Sequence, residues 1–416
     1  MRLTCSLLIA LTAAVGVAAQ DRLIGEEVFG AAGTLEIARA VTATGNTVAL
    51  VGETASADGV DLIVRAYNKK TVEVRWSDNT QADNGCVCGV RATSWGEVVY
   101  AATPLSDGFL SDIKIRAYSA VNGRLLWEDI FDVGPFDFPR GLAANQDAIV
   151  LVGIGGSADL NFFVRAYQPD SGELLWEDRV GTAGVDDFAS SVAITDTQVF
   201  VAGSTLRAYD VTTGIVQWEI PEPDAATGLV RARGSRVVVT GTKAGLTIIA
   251  AFSASTGEML WHDTWADAII GDMDVRSALV VAVGATGNDA IIRVLDIRTG
   301  ELVWEDRTTH KPERFEGFTR VQVGKNGIYV AGHDVFSFPF TDSEVLIRAY
   351  DLSGSLLWEA RAYRSPNSGV QDLLLTRNRL FLVGFVTPPP TSFRSDLFIR
   401  AYDVADFEHP ARKRVE

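Results

Sequence analysis

Short apolar runs separated by turn residues recur along this chain at a steady spacing. In residues 140–178, Gly141-Leu142-Ala143-Ala144 is a small apolar run that ends at the turn signal Asn145-Gln146-Asp147. Ala148-Ile149-Val150-Leu151-Val152-Gly153 is a continuous β-type run. A loop at 154–160 leads to a strand at 161–168, a tight turn at Pro169-Asp170-Ser171-Gly172 and a last strand at 173–178. This pattern predicts four short antiparallel strands, A to D. The end of the B strand recurs eight times, as Val51-Gly52, Ala101-Ala102, Val152-Gly153, Ala202-Gly203, Thr240-Gly241, Val283-Gly284, Ala331-Gly332 and Val383-Gly384. Eight four-stranded units closing around an axis make an all-β, eight-bladed propeller, which hides most strand edges.

The C and D strands carry a repeated phrase. Arg116-Ala117-Tyr118 precedes Trp127-Glu128-Asp129, and Arg165-Ala166-Tyr167 precedes Trp176-Glu177-Asp178. The same tryptophan recurs as Trp76, Trp218, Trp261, Trp304 and Trp358, at a period of about 40–55 residues. Residues repeated in this way are expected to dock blade on blade rather than form a unique active site. Trp95 and Trp265 fall outside this register. The four-residue turn is expected to set Arg165 opposite Trp176, with Asp178 as its diagonal neighbour. The eighth unit lacks a D strand after its C strand at 397–403, and Leu23-Ile24-Gly25-Glu26-Glu27 aligns with Leu125-Leu126-Trp127-Glu128-Asp129. The N-terminal segment is therefore expected to close the ring, with Gly25 in place of the tryptophan.

Ala208-Tyr209-Asp210-Val211-Thr212-Thr213-Gly214-Ile215-Val216-Gln217-Trp218 resembles the tryptophan-docking repeat of the pyrroloquinoline quinone (PQQ)-like propellers. Ala251, Ser253, Thr256, Gly257 and Trp261 repeat it, as do Asp296, Thr299, Gly300 and Trp304; blade 1 departs, with Val72 at the glycine position. The resemblance covers essentially all of the chain after its first residues. It implies the fold, but it is shared by quinone-dependent alcohol dehydrogenases and by outer-membrane assembly scaffolds of the Bam type. The dehydrogenases commonly carry two adjacent cysteines over the cofactor, whereas Cys86 and Cys88 are separated by Val87. No motif here maps onto their catalytic aspartate or calcium ligands, and the lipid-anchoring cysteine of the scaffolds is missing.

Composition narrows the setting. A formal charge of −16 argues against nucleic acid and anionic membrane surfaces as partners. Residues 1–19 read as a secretory signal: Arg2, an apolar stretch at 7–17, and Val17-Ala18-Ala19 before Gln20. No later segment reaches the apolar length of a transmembrane helix. The domain reading is a signal at 1–19, a propeller at 20–404 and a C-terminal tail at 405–416. In an exported chain Cys86 and Cys88 could form an intramolecular disulfide, stay as thiols or contact a cofactor.

The A–B and C–D turns are short, while the B–C and D–A connections on the opposite face are longer and more varied. Long B–C segments at 53–61, 103–112, 154–160, 333–344 and 385–396 form a crescent over blades 7, 8, 1, 2 and 3, bearing Phe109, Phe336, Phe338, Phe340, Phe385, Phe393 and Pro388-Pro389-Pro390. The starts of the A strands place Arg39, Cys88, Arg140 and Arg320 at the channel mouth, just after Asp137, Asp187 and Glu316. Arg39, Arg140, Asp187 and Arg320 are the candidate ligand-binding residues, suited to a small anion. No metal site and no catalytic residue is read from the chain. The expectation is a secreted or periplasmic, monomeric, non-catalytic binding or scaffold module without a cofactor, taking a protein, peptide or glycan on the long-loop face. The alternative is a PQQ-dependent oxidoreductase or quinone-binding sensor using PQQ with calcium.

Overall fold

The computed structural model describes residues 22–409 apart from 32–33, 57–58, 83–88, 107–109, 157–158, 222–227, 244, 309–312, 337–341 and 389–393. Residues 1–19, read from the sequence as a signal, and Cys86 and Cys88 lie outside the described residues. Thirty-two strands form eight four-stranded antiparallel sheets. In blade 3 they are Phe138–Ala144, Ile149–Gly156, Leu160–Tyr167 and Leu174–Val180. The B strand Ile149–Gly156 is buried throughout, because a blade neighbours it on each face. The D strand Leu174–Val180 alternates exposed and covered positions as the outer edge. The repeated B-strand glycine marks a close backbone approach: a Cβ on Gly153 would lie 2.3 Å from the Phe138 carbonyl oxygen. No helix among the described residues is long and apolar enough to cross a membrane.

Closure follows the sequence reading. The N-terminal strand Leu23–Phe29 pairs antiparallel with Asp396–Asp403, with Glu26 opposite Arg400 and Glu27 opposite Ile399. Of the segment set off as a tail, residues 405–409 are described, and they pack on the ring. Ala405–Glu408 is one helical turn, and the Glu408 carboxylate accepts the Lys325 N–H (2.7 Å) and the Tyr329 O–H (3.0 Å). Arg22 pairs with Asp406 at 2.7 Å and covers the Phe407 ring, tying the two ends together.

The core lies between blades, and each of the eight joints has its own apolar cluster. At the blade 3–4 joint, Trp176 stacks on Tyr209 with centroids 5.5 Å apart, and its Nε1–H donates to the Val211 carbonyl (2.9 Å). Asp178 accepts from Tyr209 Oη and Arg207 Nη1, both at 2.9 Å, while Arg207 Nη2 reaches Glu219 of its own blade (2.8 Å). The tyrosine-to-aspartate bond recurs for Tyr118–Asp78, Tyr167–Asp129 and Tyr350–Asp306. At the closing joint Glu27 takes the aspartate's place, held by Tyr67 (2.6 Å) and Arg65 (2.7 Å). Burial of an indole contributes about 2–3 kcal/mol, against roughly 0.2–1 for a partly exposed ion pair. Of the two, the tryptophan contributes more, within a joint whose buried apolar cluster also includes Val150, Val152, Phe162, Val164, Val199 and Val201.

Two expectations are corrected. Arg165 stands opposite Glu177, and Trp176 stands opposite Ala166. A bulge between Ala166 and Tyr167 shifts the pairing by one residue, so arginine and tryptophan occupy opposite faces. Alanine is the repeated middle residue because the indole lies across from it. Trp265 is not outside the repeat: it is buried, and Arg293 of the next blade lies 5.4 Å from its ring centroid. Phe29 and Phe131, each four residues after the tryptophan-equivalent position, meet Arg65 and Arg165 in the same way. Trp95 is 44% exposed.

Candidate functional site

The A strands line the central channel. In blades 1, 3, 4, 6, 7 and 8 each carries a bulge, level with the glycine or alanine repeated on the B strand. The bulged residue is Arg39 in blade 1 and Arg140 in blade 3; Asp272, Arg320 and Asp372 follow the bulge in blades 6, 7 and 8. Together with Arg91 and Arg231 they line a basin of about 950 Å³ whose other walls mix small and polar residues, such as Ala40, Thr93, Gly141, Ser191 and Gln371, with the aliphatic side chains of Val90, Leu142, Val192, Ile194 and Leu229.

The structure brings Arg39, Arg140 and Arg320 into this basin but not Asp187. Asp187 is buried, its carboxylate accepting the Thr182 N–H (2.6 Å) and its own N–H donating to the Leu160 carbonyl (2.7 Å). It staples the D–A connection, as Asp137 does one blade earlier through the N–H groups of Val133 (2.6 Å) and Gly134 (3.2 Å). Asp137 is fully buried, and that burial pushes its pKa up to about 6. Glu316 is also buried, 3.5 Å from Arg361. Backbone amides in tight connections claim Asp137 and Asp187, and Arg361 claims Glu316; none of the three lines the basin.

Arg91, Arg231, Asp272 and Asp372 were not anticipated. The blade 2 A strand is described from Arg91, which stands opposite Ala102, and Cys88 lies outside the described residues. Counting back from the B-strand end, rather than forward from the cysteines, locates Arg91 at the level of Arg39 and Arg140.

The charges are arranged unequally around the ring. Arg231 pairs with Asp272 at 2.9 Å and Arg320 with Asp372 at 3.9 Å. Each aspartate also binds the next blade, Asp272 through the Val321 N–H (3.1 Å) and Asp372 through the Val41 N–H (2.8 Å). Burial pushes the Asp372 carboxyl up to about 6 even with Arg320 beside it. Arg39 pairs with buried Glu53 at 2.5 Å. Among the described residues Arg91 donates to main-chain carbonyls alone, of Arg140 (2.7 Å) and Val90 (2.8 Å). Burial, followed by the fields of Arg140, Arg320 and Arg39, pushes its guanidinium down to about 10. The blade 2–3 wall is therefore the positive side of the basin.

Many of the long B–C segments are hairpin extensions of the B and C strands, as in Thr47–Ser56 with Gly59–Asn68 and Val98–Ser106 with Ser111–Ser119. Of the predicted crescent, Phe336, Phe385 and Pro388 are described and half-buried; Phe109, Phe338, Phe340, Phe393 and residues 389–390 lie outside the described residues. Exposed apolar side chains at this end include Leu110 (53%), Phe136 (43%), Val185 (53%) and Phe188 (41%) on consecutive connections, with Leu35, Leu246 and Ile269 isolated on blades 1, 5 and 6. The first four belong to loops at the B–C and D–A end of blades 2–4.

The sequence matches the family model described as outer membrane protein assembly factor BamB over residues 111–248 and again over 205–402. No curated protein matches by sequence. BamB from Moraxella catarrhalis superposes with a TM-score of 0.53 at 15% identity, over 88% of this chain and 97% of that one. The quinohemoprotein alcohol dehydrogenase ADHIIG from Pseudomonas putida HK5 gives 0.56 at 11% identity, over 92% and 77%. Chaetomium thermophilum Sqt1, bound to the N-terminus of the ribosomal protein L10, gives 0.59 at 14% identity, over 88% and 96%. At these identities the likeness is one of fold.

Proposed function

The chain belongs to the PQQ-like repeat family whose model is described as the outer membrane protein assembly factor BamB, and from that premise we propose that it is an exported, non-catalytic binding propeller. Its partner, a protein or peptide, docks on the face that carries the B–C and D–A connections. The observation that supports this reading most is the combination of a cationic basin along the central channel with the exposed connections Leu110, Phe136, Val185 and Phe188 of blades 2–4. Exposed apolar groups together with a concentrated charge suit macromolecular recognition, the first supplying contact area and the second orientation. The net charge of −16 makes the positive basin a local exception that a partner can recognise.

A PQQ–calcium cofactor fits this basin poorly. Among the described residues no aromatic side chain lines it to stack on a planar quinone. Among the described residues no three His, Cys, Asp or Glu side chains are grouped to hold a metal. No chemical step is therefore derived through that group.

The test is site-specific photocrosslinking in the producing cell. A crosslinking residue at Phe136 or Phe188 should yield a discrete adduct, and one at exposed Asn46 on the opposite face should not. Equal adducts from Asn46, or none from Phe136 and Phe188, would refute the assignment of the face. Export is checked separately by intact mass, which should begin at Gln20.

A further inference from the structure

We infer that the basin itself binds a small, non-aromatic oxyanion carrying at least two negative charges, gripped by Arg91 and Arg140. This deepens the reading of the B–C and D–A face as a binding face, and rests on it. The lining holds five arginines against two aspartates. Both aspartates are already engaged, each with an arginine and a backbone amide. Arg39 has Glu53. Neither Arg91 nor Arg140 has a carboxylate partner among the described residues, so two guanidinium groups on adjacent blades are left for a ligand.

Their surroundings favour such a ligand in three ways. Arg91 is fixed by bonds from Nε and Nη1 to carbonyls, so its planar fork is oriented before anything binds. Arg140 is exposed to the basin and adjustable. The destabilising field of Arg140, Arg320 and Arg39 on Arg91 is the field an incoming anion would relieve. A volume of about 950 Å³ admits a metabolite-sized ligand with its water. Among the described residues the lining offers no ring face, which disfavours flat aromatic acids. Oxyanions with two charged groups can satisfy both arginines by paired N–H···O bonds, which a monoanion cannot.

The experiment is calorimetric titration of the full mature protein with citrate, pyrophosphate, acetate and a triglutamate peptide at low ionic strength. Citrate or pyrophosphate should bind saturably with a stoichiometry of one, while acetate should not. Arg140→Ala, which removes no contact of the folded ring, should weaken binding by about tenfold or more, the worth of one charge-assisted hydrogen bond. Arg91→Gln should do the same with its melting temperature checked alongside, and Arg179→Ala on the outer rim should leave binding unchanged. The inference is overturned if neither polyanion binds saturably, if Arg140→Ala leaves the affinity intact, or if only the peptide binds. These readouts use purified protein and small ions, so their failure is distinct from a failure of the crosslinking test.

Discussion

The docking tryptophan and the glycine above it behave as one unit, which a double-mutant cycle can expose. Trp176 is 9% exposed, lies across from Ala166, and sits beneath the C–D turn of blade 4. Trp176→Ala should cost about 3–5 kcal/mol through lost burial and the cavity left behind. Gly214 covers the same ring with φ of +70°, and a Cβ there would meet the indole at 2.5 Å. Gly214→Ala should therefore cost about 1 kcal/mol for the left-handed backbone and roughly 1–3 more for overpacking. In the double variant the clash has no partner. Its cost should fall short of the sum of the singles by about 1–3 kcal/mol. Urea titration followed by circular dichroism and tryptophan fluorescence measures all three.

The molecule already contains this exchange. At the closing joint Gly25 holds the tryptophan position, and Val72 holds the glycine position with φ of +62°. Val72 is 7% exposed and lies 3.2 Å from where a Gly25 Cβ would be. A β-branched residue in that backbone region is costly, and here it fills the space an indole fills elsewhere. Strict additivity of Trp176→Ala and Gly214→Ala would refute the idea that ring and turn are a matched pair.

Three further outcomes follow from the geometry. Asp137 has a folded pKa of about 6, above its ordinary 3.8, so its contribution to stability should decline as pH rises from about 4 to 6; Asp137→Asn should flatten that decline and raise stability at pH 7.5 by at most roughly 3 kcal/mol in denaturant titration. Deleting residues 20–30 removes the outer strand of blade 8 and should lower the melting temperature and drive association through the bared edge; an unchanged monomer in light scattering would rule out this closure. Protein incubated with PQQ and calcium and then desalted should retain no quinone absorbance, and stoichiometric retention would restore the cofactor reading.

The blade count was legible because a B strand packed on both faces must be apolar throughout and must meet the A strand through a glycine or alanine. Closure was legible because Leu23-Ile24-Gly25-Glu26-Glu27 keeps the polar pattern of a D strand after losing its tryptophan. The register of the C–D hairpin was not legible. The turn fixes it at Tyr167 and Leu174, and the bulge then resets it before Ala166. Nothing in residue type distinguishes Leu175, the extra residue, from Leu174. The basin was legible in part: Arg39, Arg140 and Arg320 could be placed by their distance from the B-strand ends, whereas Asp187 could not be oriented. A carboxylate just before an A strand can face the channel or the amides of its own connection. In this chain Asp137 and Asp187 both take the amides, because a tight connection offers unpaired N–H groups within reach.

That choice bears on function. Had the two carboxylates turned into the channel, they would have neutralised the blade 2–3 wall beside Arg91 and Arg140. Their sequestration in the connections leaves that wall positive, while Asp272 and Asp372 balance the arginines of blades 5 and 7. The basin is thus polarised by where backbone amides were left unpaired, not by an excess of basic residues in a chain of net charge −16. A reading by composition alone would have assigned this protein a cationic partner; the placement of its amides argues for an anionic one at the channel.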